Sequence, residues 1–276
     1  MSAAEVLRVI ETWPVDSAAA AVVGPSGVVA GHGDLDKSFT LASVTKPLVP
    51  AAAYRDRRGR GRTRHSGRAA RFDDPAPAGA RIGRVDAFGR RTRPAGAASD
   101  LFELRIRTVG PRCRGAADIE FASYLTEAVF EPLQMAKSTL VGGAETAGFG
   151  GVSTVADLAA FAAELLRPTL VSEQLHQEAV TVQFPGLDGV LPGFGVQRPN
   201  DWGLGYEIRD GKSPHWTGSA NSPATFGHFG QSGTFLWVDP VADLALVVLT
   251  DRDFGEWTYP LWPAISDGVL RENGTD

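Results

Sequence analysis

The chain has one cysteine, few lysines and no long apolar run. A single cysteine excludes an intramolecular disulfide framework, and no cysteine–histidine cluster indicates a metal. No apolar stretch approaches the roughly 20 residues that span a bilayer. Residues 1–8 lack the basic segment and apolar core of a secretory signal. We therefore expect no cofactor, no metal ion, no membrane span and a cytoplasmic location.

Positive charge is concentrated in one segment of the chain. Residues 55–118 hold 17 of the 23 arginines and carry a net charge of +10, whereas the rest carries −15. Only nine of these 64 residues are large and apolar, too few to offset the entropy lost on ordering. We interpret 55–118 as an anomalous, disordered segment between two parts of one core, 1–54 and 119–276.

A nucleic-acid-binding arm is an alternative interpretation of this segment. Residues 57–62 alternate arginine with glycine, a pattern found in nucleic-acid-binding tails. Such arms usually interleave aromatic residues on which bases stack, and this one has none. Nothing else in the chain indicates nucleic acid, so we expect no nucleic-acid partner.

A serine and a lysine lie three residues apart in an apolar stretch. Ser43 and Lys46 would share one face of a helix, so the amine can reach the hydroxyl. Pro47 follows, and proline is tolerated only in the first turn, which predicts that Ser43 lies at a helix mouth. Removal from water favours the neutral form of an amine, which can then accept the serine proton. This arrangement indicates an activated nucleophile.

Two strings in the chain carry candidate site residues: Phe39-Thr40-Leu41-Ala42-Ser43-Val44-Thr45-Lys46 and His228-Phe229-Gly230-Gln231-Ser232-Gly233. Together they resemble the serine β-lactamase and penicillin-binding-protein superfamily, in particular its class C-like esterase and DD-peptidase branch. The resemblance covers roughly residues 15–54 and 119–270. It implies a sheet between helical layers, with a helical subdomain inserted after the nucleophile helix.

The resemblance also implies roles for the second string. His228 would stand on the cleft strand where many relatives have lysine, with Gly230 letting substrate approach the backbone. The backbone N–H groups of Ser43 and Gln231 would form the oxyanion hole. His215-Trp216-Thr217-Gly218 is a rival for this motif, but it precedes a polar loop, so we favour His228. No role is assigned to His32, His65 or His176.

The superfamily's Tyr-x-Asn motif is missing, because none of the four tyrosines stands in that pattern. We hypothesise that compensating frameshifts replaced residues 55–118, since a one-base shift near Leu101 restores Tyr-Ser-Asn. The gene should then read CTA-TTC-GAA-CTN from Leu101 to Leu104, and a Leu101 codon that does not end in A refutes this tyrosine. The disrupted segment would have carried the helical subdomain and one wall of the cleft.

Local patterns predict an α+β fold with an antiparallel sheet flanked by helices. Residues 18–23 with 28–32, and 234–238 with 244–250, are predicted hairpins. Predicted helices cover 3–13, 121–133, 155–166 and 261–270, the third capped by Thr154. Residues 186–195 are predicted to be a loop at the cleft rim. The sheet would combine both ends of the chain.

The predicted function is that of a serine hydrolase that forms an acyl-enzyme through Ser43. Its substrate would be a small molecule or peptide with an amide or ester carbonyl: a β-lactam, a D-Ala-D-Ala-like peptide or a small ester. A Ser-His-Asp triad is disfavoured because the chain has no Gly-x-Ser-x-Gly sequence. The alternative is a catalytically impaired remnant of the family or a non-enzymatic binding protein.

Overall fold

The computed structural model describes residues 1–59, 84–85, 91–92, 120–183 and 185–273. Within the predicted anomalous segment, the described parts are the end of a helix and a short pair of strands, β4 (Arg84–Val85) and β5 (Arg91–Thr92). The remainder of 55–118 lies outside the described residues. Our interpretation of that segment therefore stays a prediction.

The main sheet has six antiparallel strands in the order β10-β11-β12-β13-β1-β2. Its strands are β1 (Ala18–Gly24), β2 (Gly27–His32), β10 (Glu207–Ile208), β11 (Phe226–Gly230), β12 (Thr234–Asp239) and β13 (Leu244–Thr250). The N-terminal β1 pairs with the C-terminal β13 in the middle of the sheet, with Ala18 opposite Thr250. Both strands are almost wholly buried, as expected for strands covered on two faces.

Helices cover both faces of this sheet. The helices are α1 (Ala3–Leu7), α2 (Leu48–Gly59), α3 (Phe121–Leu125), α4 (Val155–Leu166), α5 (Glu173–Ala179) and α6 (Thr258–Asn273). One core lies between the sheet and α2, α3 and α4, and the other lies between the sheet and α1 and α6. Alternate residues of the central strands β1, β12 and β13 enter opposite cores. On β12, for example, Leu236 joins the first core and Trp237 the second.

A second, small sheet leads the chain into the Ser43 region. It consists of β3 (Phe39–Thr40), β7 (Gly151–Ser153) and β6 (Thr139–Leu140), in that order, and Phe39 pairs with Ser153. Two further strands, β8 (Gly189–Leu191) and β9 (Gly195–Gln197), form a separate hairpin.

The predicted α+β class is confirmed, with an antiparallel sheet built from both ends of the chain and flanked by helices. Thr154 caps α4 as expected, by accepting a hydrogen bond from the N–H of Asp157 at 3.1 Å. The prediction of a loop over 186–195 is wrong in part, because β8 and the start of β9 lie within it. The hairpin turns at Gly193, which has a φ of 79°. None of the described helices has the length and apolar character needed to cross a bilayer.

Candidate active site

Ser43 and Lys46 are brought together in a buried turn. The Nζ atom of Lys46 donates to the Oγ atom of Ser43 at 2.6 Å, and both residues are 4% exposed. The turn, Ala42–Thr45, is a 3₁₀ helix rather than the predicted start of an α-helix. Side chains three residues apart eclipse one another in a 3₁₀ helix. The tighter winding therefore aligns these two side chains more directly than an α-helix would.

Pro47 separates this turn from helix α2, which begins at Leu48. Pro47 has no N–H to donate to the carbonyl of Ser43. That carbonyl instead accepts the N–H of Lys46 at 3.0 Å in the 3₁₀ pattern. Ala42, just before Ser43, has a φ of 45°, a left-handed conformation that is uncommon outside glycine. Strained backbone of this kind persists where surrounding contacts fix it.

Several hydrogen bonds hold the turn. The Thr45 hydroxyl donates to the carbonyl of Ala42 at 2.7 Å and accepts the N–H of Gly151 at 2.9 Å. The N–H of Leu41 donates to the carbonyl of Gly151 at 2.9 Å. Strand β7 is therefore hydrogen-bonded to the turn on one side and fixes the backbone around Ser43.

The hairpin of β11 and β12 contacts the turn on the other side. The hydroxyl of Ser232 donates to the carbonyl of Thr40 at 2.6 Å. A side chain at Gly230 would place its Cβ 2.3 Å from the carbonyl oxygen of Leu41, so only glycine permits this approach. The carbonyl of Gln231 accepts the N–H of Phe254 at 2.7 Å, which orients the next peptide. The backbone of Gly230 and Gln231 thus lies beside the Ser43 turn.

His228 lies on the same strand and is buried, at 4% exposure. Its Nδ1 atom donates to the carbonyl of Phe229 at 2.6 Å, so the proton of the neutral ring is on Nδ1 and Nε2 is left as an acceptor. The edge of the ring meets Trp202, with centroids 5.4 Å apart. Burial, and next the charge of Lys46, lower the pKa of His228 to about 3. His228 is therefore neutral at neutral pH and within electrostatic reach of Lys46.

His215, the rival histidine, belongs to a different buried cluster. Its Nδ1 atom lies 2.8 Å from the Thr217 hydroxyl, and its Nε2 atom lies 3.0 Å from the Glu207 carboxylate. The same carboxylate accepts hydrogen bonds from Trp216 Nε1 at 2.8 Å and from Lys212 Nζ. Both ring nitrogens of His215 are thus held by internal contacts. His228, in contrast, lies on the strand that contacts the Ser43 turn through Gly230, and its ring interacts electrostatically with Lys46.

Burial alone would raise the pKa of Glu207, but the neighbouring charges of His215 and Lys212 lower it to about 2. Sequence reasoning missed this carboxylate and its lysine. The one sequence signal was the spacing of Glu207 and Lys212, five residues apart, with Tyr206 directly before Glu207.

Two tyrosines near the site form hydrogen bonds with backbone carbonyls. The hydroxyl of Tyr206 donates to the carbonyl of Pro47 at 3.3 Å, and that of Tyr124 donates to the carbonyl of Ala52 at 2.9 Å. Both tyrosines therefore contact backbone at the start of α2. His32 contacts Glu11 at 2.8 Å on the surface, and His65 lies outside the described residues.

Comparisons with known proteins show the family of the chain. The family model described as Beta-lactamase matches residues 109–265. A solved β-lactamase from Mycobacterium bovis is 53% identical over 98% of this chain and 100% of its own, with a TM-score of 0.86. A simvastatin synthase mutant from Aspergillus terreus aligns over 97% of this chain and 93% of its own at 14% identity, with a TM-score of 0.70, which shows a shared fold alone. A search of curated proteins finds no match. The chain therefore belongs to the Beta-lactamase family, within the serine β-lactamase and penicillin-binding-protein superfamily.

Proposed function

We propose that the protein is a serine hydrolase that works through an acyl-enzyme on Ser43. The observation that carries the proposal is the 2.6 Å contact between Lys46 Nζ and Ser43 Oγ in a buried turn. A serine hydroxyl is a weak nucleophile unless a neighbouring base takes its proton. Lys46 in its neutral form supplies that base at hydrogen-bond distance.

The first step would be attack of Ser43 Oγ on an amide or ester carbonyl, with transfer of its proton to Lys46. Negative charge then develops on the carbonyl oxygen. We assign the backbone N–H groups of Ser43 and Gln231 as its donors, because the Gly230 contact holds the two segments side by side. Fixed donors of this kind stabilise an oxyanion by several kcal/mol, roughly 3–4 for one donor in a well-studied protease.

We assign to His228 the role of a neutral hydrogen-bonding group in the cleft. Its Nδ1 proton is committed to the carbonyl of Phe229, so Nε2 can accept a hydrogen bond from the substrate or from the attacking water. A neutral ring adds no positive charge beside Lys46. It therefore does not oppose protonation of Lys46 as Ser43 is deprotonated.

The substrate class is an amide or ester carbonyl compound: a β-lactam, a D-Ala-D-Ala-like peptide or a small ester. A β-lactam is the first choice for testing, because the Mycobacterium bovis relative at 53% identity is a β-lactamase. Small esters are the second choice for testing, because they need the fewest contacts with the cleft wall that residues 55–118 would have carried before the hypothesised frameshifts.

A catalytically impaired family member is the second candidate. One specific observation favours it: the hydroxyls of Tyr124 and Tyr206 both donate to backbone carbonyls, of Ala52 and Pro47. Neither tyrosine stands in a Tyr-x-Asn motif. A chain of this kind would keep the fold and bind ligands without turning them over.

Hydrolysis of nitrocefin and of p-nitrophenyl butyrate distinguishes the two candidates. The hydrolase proposal expects turnover of at least one substrate by the wild-type chain and none above background by Ser43→Ala. Ser26→Ala is the matched control, because Ser26 is exposed in the β1–β2 turn. Equal rates for wild type and Ser43→Ala would refute the role of Ser43. Binding without turnover by the wild type would support the impaired family member.

A further inference from the structure

A cavity whose lining does not include Ser43 opens beside the sheet. Its volume is ≈590 Å³, which is in the range of small-molecule pockets. It lies against the end of α4, helix α5 and the Phe226 end of β11. The Ser43 turn contacts Gly230 at the opposite end of that strand. At about 3.3 Å per residue, the two ends of β11 are roughly 13 Å apart.

The lining of this cavity is apolar at its base. Its apolar residues include Leu165, Leu166, Val180, Phe226 and Val238. Charge at the rim is largely compensated, because Arg167 forms a two-point pair with Asp243 at 2.9 and 2.7 Å. Glu173 is exposed, so water solvates its charge. An anion would lose hydration without meeting an unpaired cationic side chain, and a cation would gain only an exposed pair with Glu173, worth about 0–1 kcal/mol.

One polar side chain in the cavity wall makes no hydrogen bond to the protein. His176 is 7% exposed, and no residue in the described parts of the chain donates to or accepts from its ring nitrogens, which water can still reach. Its edge packs against Phe226, with ring centroids 6.1 Å apart. Burial lowers the pKa of His176, an effect that Glu173 opposes, so the ring is neutral at neutral pH. It offers one N–H donor and one nitrogen acceptor.

We propose that this cavity binds a small, uncharged aromatic molecule that bears a hydroxyl group. The aromatic ring would lie on Phe226 and the apolar base. The hydroxyl would replace water as the hydrogen-bond partner of a ring nitrogen of His176, because a ligand that displaces this water without restoring its hydrogen bond loses affinity. This proposal is independent of the chemistry proposed for Ser43.

Fluorine NMR of the whole chain with 4-fluorophenol and with fluorobenzene tests the proposal. We expect saturable binding of both compounds, with 4-fluorophenol binding at least 10-fold more tightly. His176→Phe keeps the ring packing and removes the hydrogen bond, so the two compounds should bind it equally. Ala224→Trp, at an exposed position of the lining, should abolish binding of both. Ala4→Trp is the matched control, because Ala4 is exposed on α1 at the other face of the sheet.

A measurement on the wild type alone guards against a variant that misfolds. The ring ¹⁵N resonances of His176 should shift further on titration with 4-fluorophenol than with fluorobenzene, because only the phenol hydroxyl forms a hydrogen bond to a ring nitrogen. The proposal is overturned if the wild type shows no saturable binding of 4-fluorophenol. It is also overturned if the folded Ala224→Trp variant binds as the wild type does, or if the His176 resonances do not respond.

Discussion

The hydroxyl of Thr234 donates to the carbonyl oxygen of Leu41 at 3.0 Å, and so fastens β12 to the residue two positions before Ser43. Ser232 makes the equivalent contact with Thr40. These bonds join segments that are almost 200 residues apart in sequence. They explain how the start of β12 sets the position of a hydroxyl that belongs to the N-terminal part of the chain.

Gly230→Ala is predicted to reduce acylation of Ser43 by about 100-fold, because small misplacements of a catalytic group cost on this order. The new Cβ would stand 2.3 Å from the carbonyl oxygen of Leu41 and push the turn away from the cleft strand. The measurement is the pre-steady-state burst with p-nitrophenyl butyrate. Gly211→Ala is the control, since its Cβ meets no atom within 4 Å. A burst rate like that of the wild type would show that the contact does not position Ser43.

Lys46→Met is predicted to lower the acylation rate by about 10²- to 10⁴-fold, the usual contribution of a general base. Methionine keeps an unbranched apolar side chain at this position and lacks the amine that lies 2.6 Å from Ser43 Oγ. The same burst measurement applies. Lys137→Met is the control, because Lys137 forms an exposed pair with Asp36, a kind of contact worth about 0–1 kcal/mol. Unchanged acylation in Lys46→Met would exclude this amine as the base.

The stability of the protein should fall in acid partly because of His228. Its pKa is about 3 when folded, below the ordinary value of 6.5. The unfolded chain therefore binds a proton between these values that the folded chain does not, and stability decreases as pH falls below 6.5. One pKa unit corresponds to about 1.4 kcal/mol, so the loss from pH 7 to pH 4.5 is roughly 2–3 kcal/mol.

His228→Gln removes this titration. Urea unfolding at pH 7 and at pH 4.5 should show a free energy of unfolding that falls by about 2–3 kcal/mol less in the variant than in the wild type. All other titrating groups are shared by the two chains, so the difference reports His228. Equal falls would mean that His228 is accessible to protons in the folded state.

Glu207→Gln should destabilise the fold by about 3–5 kcal/mol, because it leaves the buried Lys212 ammonium without its carboxylate. The double variant Glu207→Gln with Lys212→Met should recover part of this loss, since no uncompensated charge remains. Urea unfolding at pH 7 gives both values. A double variant less stable than Glu207→Gln alone would show that Lys212 stabilises the fold without its carboxylate, through its bonds to the carbonyls of Asp201 and Ile208.

Local patterns predicted much of the fold. The Thr154 cap, the spacing of apolar residues in α4 and the two hairpins of the main sheet depend on neighbours in sequence, and all are confirmed. The helix predicted over 121–133 is interrupted, because it changes to a π-helical turn at Thr126–Phe130. Its apolar spacing gave no sign of this change, and the π-helical turn packs against α2.

The contact between Ser43 and Lys46 could be predicted because it spans three residues. The form of the turn could not, because β7 and the β11–β12 hairpin impose it through Gly151 and Thr234. The Glu207 cluster was not predicted either, although its donors Lys212, His215 and Trp216 lie within nine residues of it. Residues 209–216 form an irregular loop without periodic spacing, so the sequence pattern does not show that these side chains converge. Choosing between His215 and His228 required knowing which of the two stands beside Lys46.

Peptide mapping by mass spectrometry after brief reaction with a penicillin and with p-nitrophenyl butyrate tests the central claim most directly. We predict an acyl group on the peptide that contains Ser43, with no adduct at that position in Ser43→Ala. Acylation at another residue, or no adduct on the folded wild-type chain with either reagent, would contradict the assignment of Ser43 as the nucleophile.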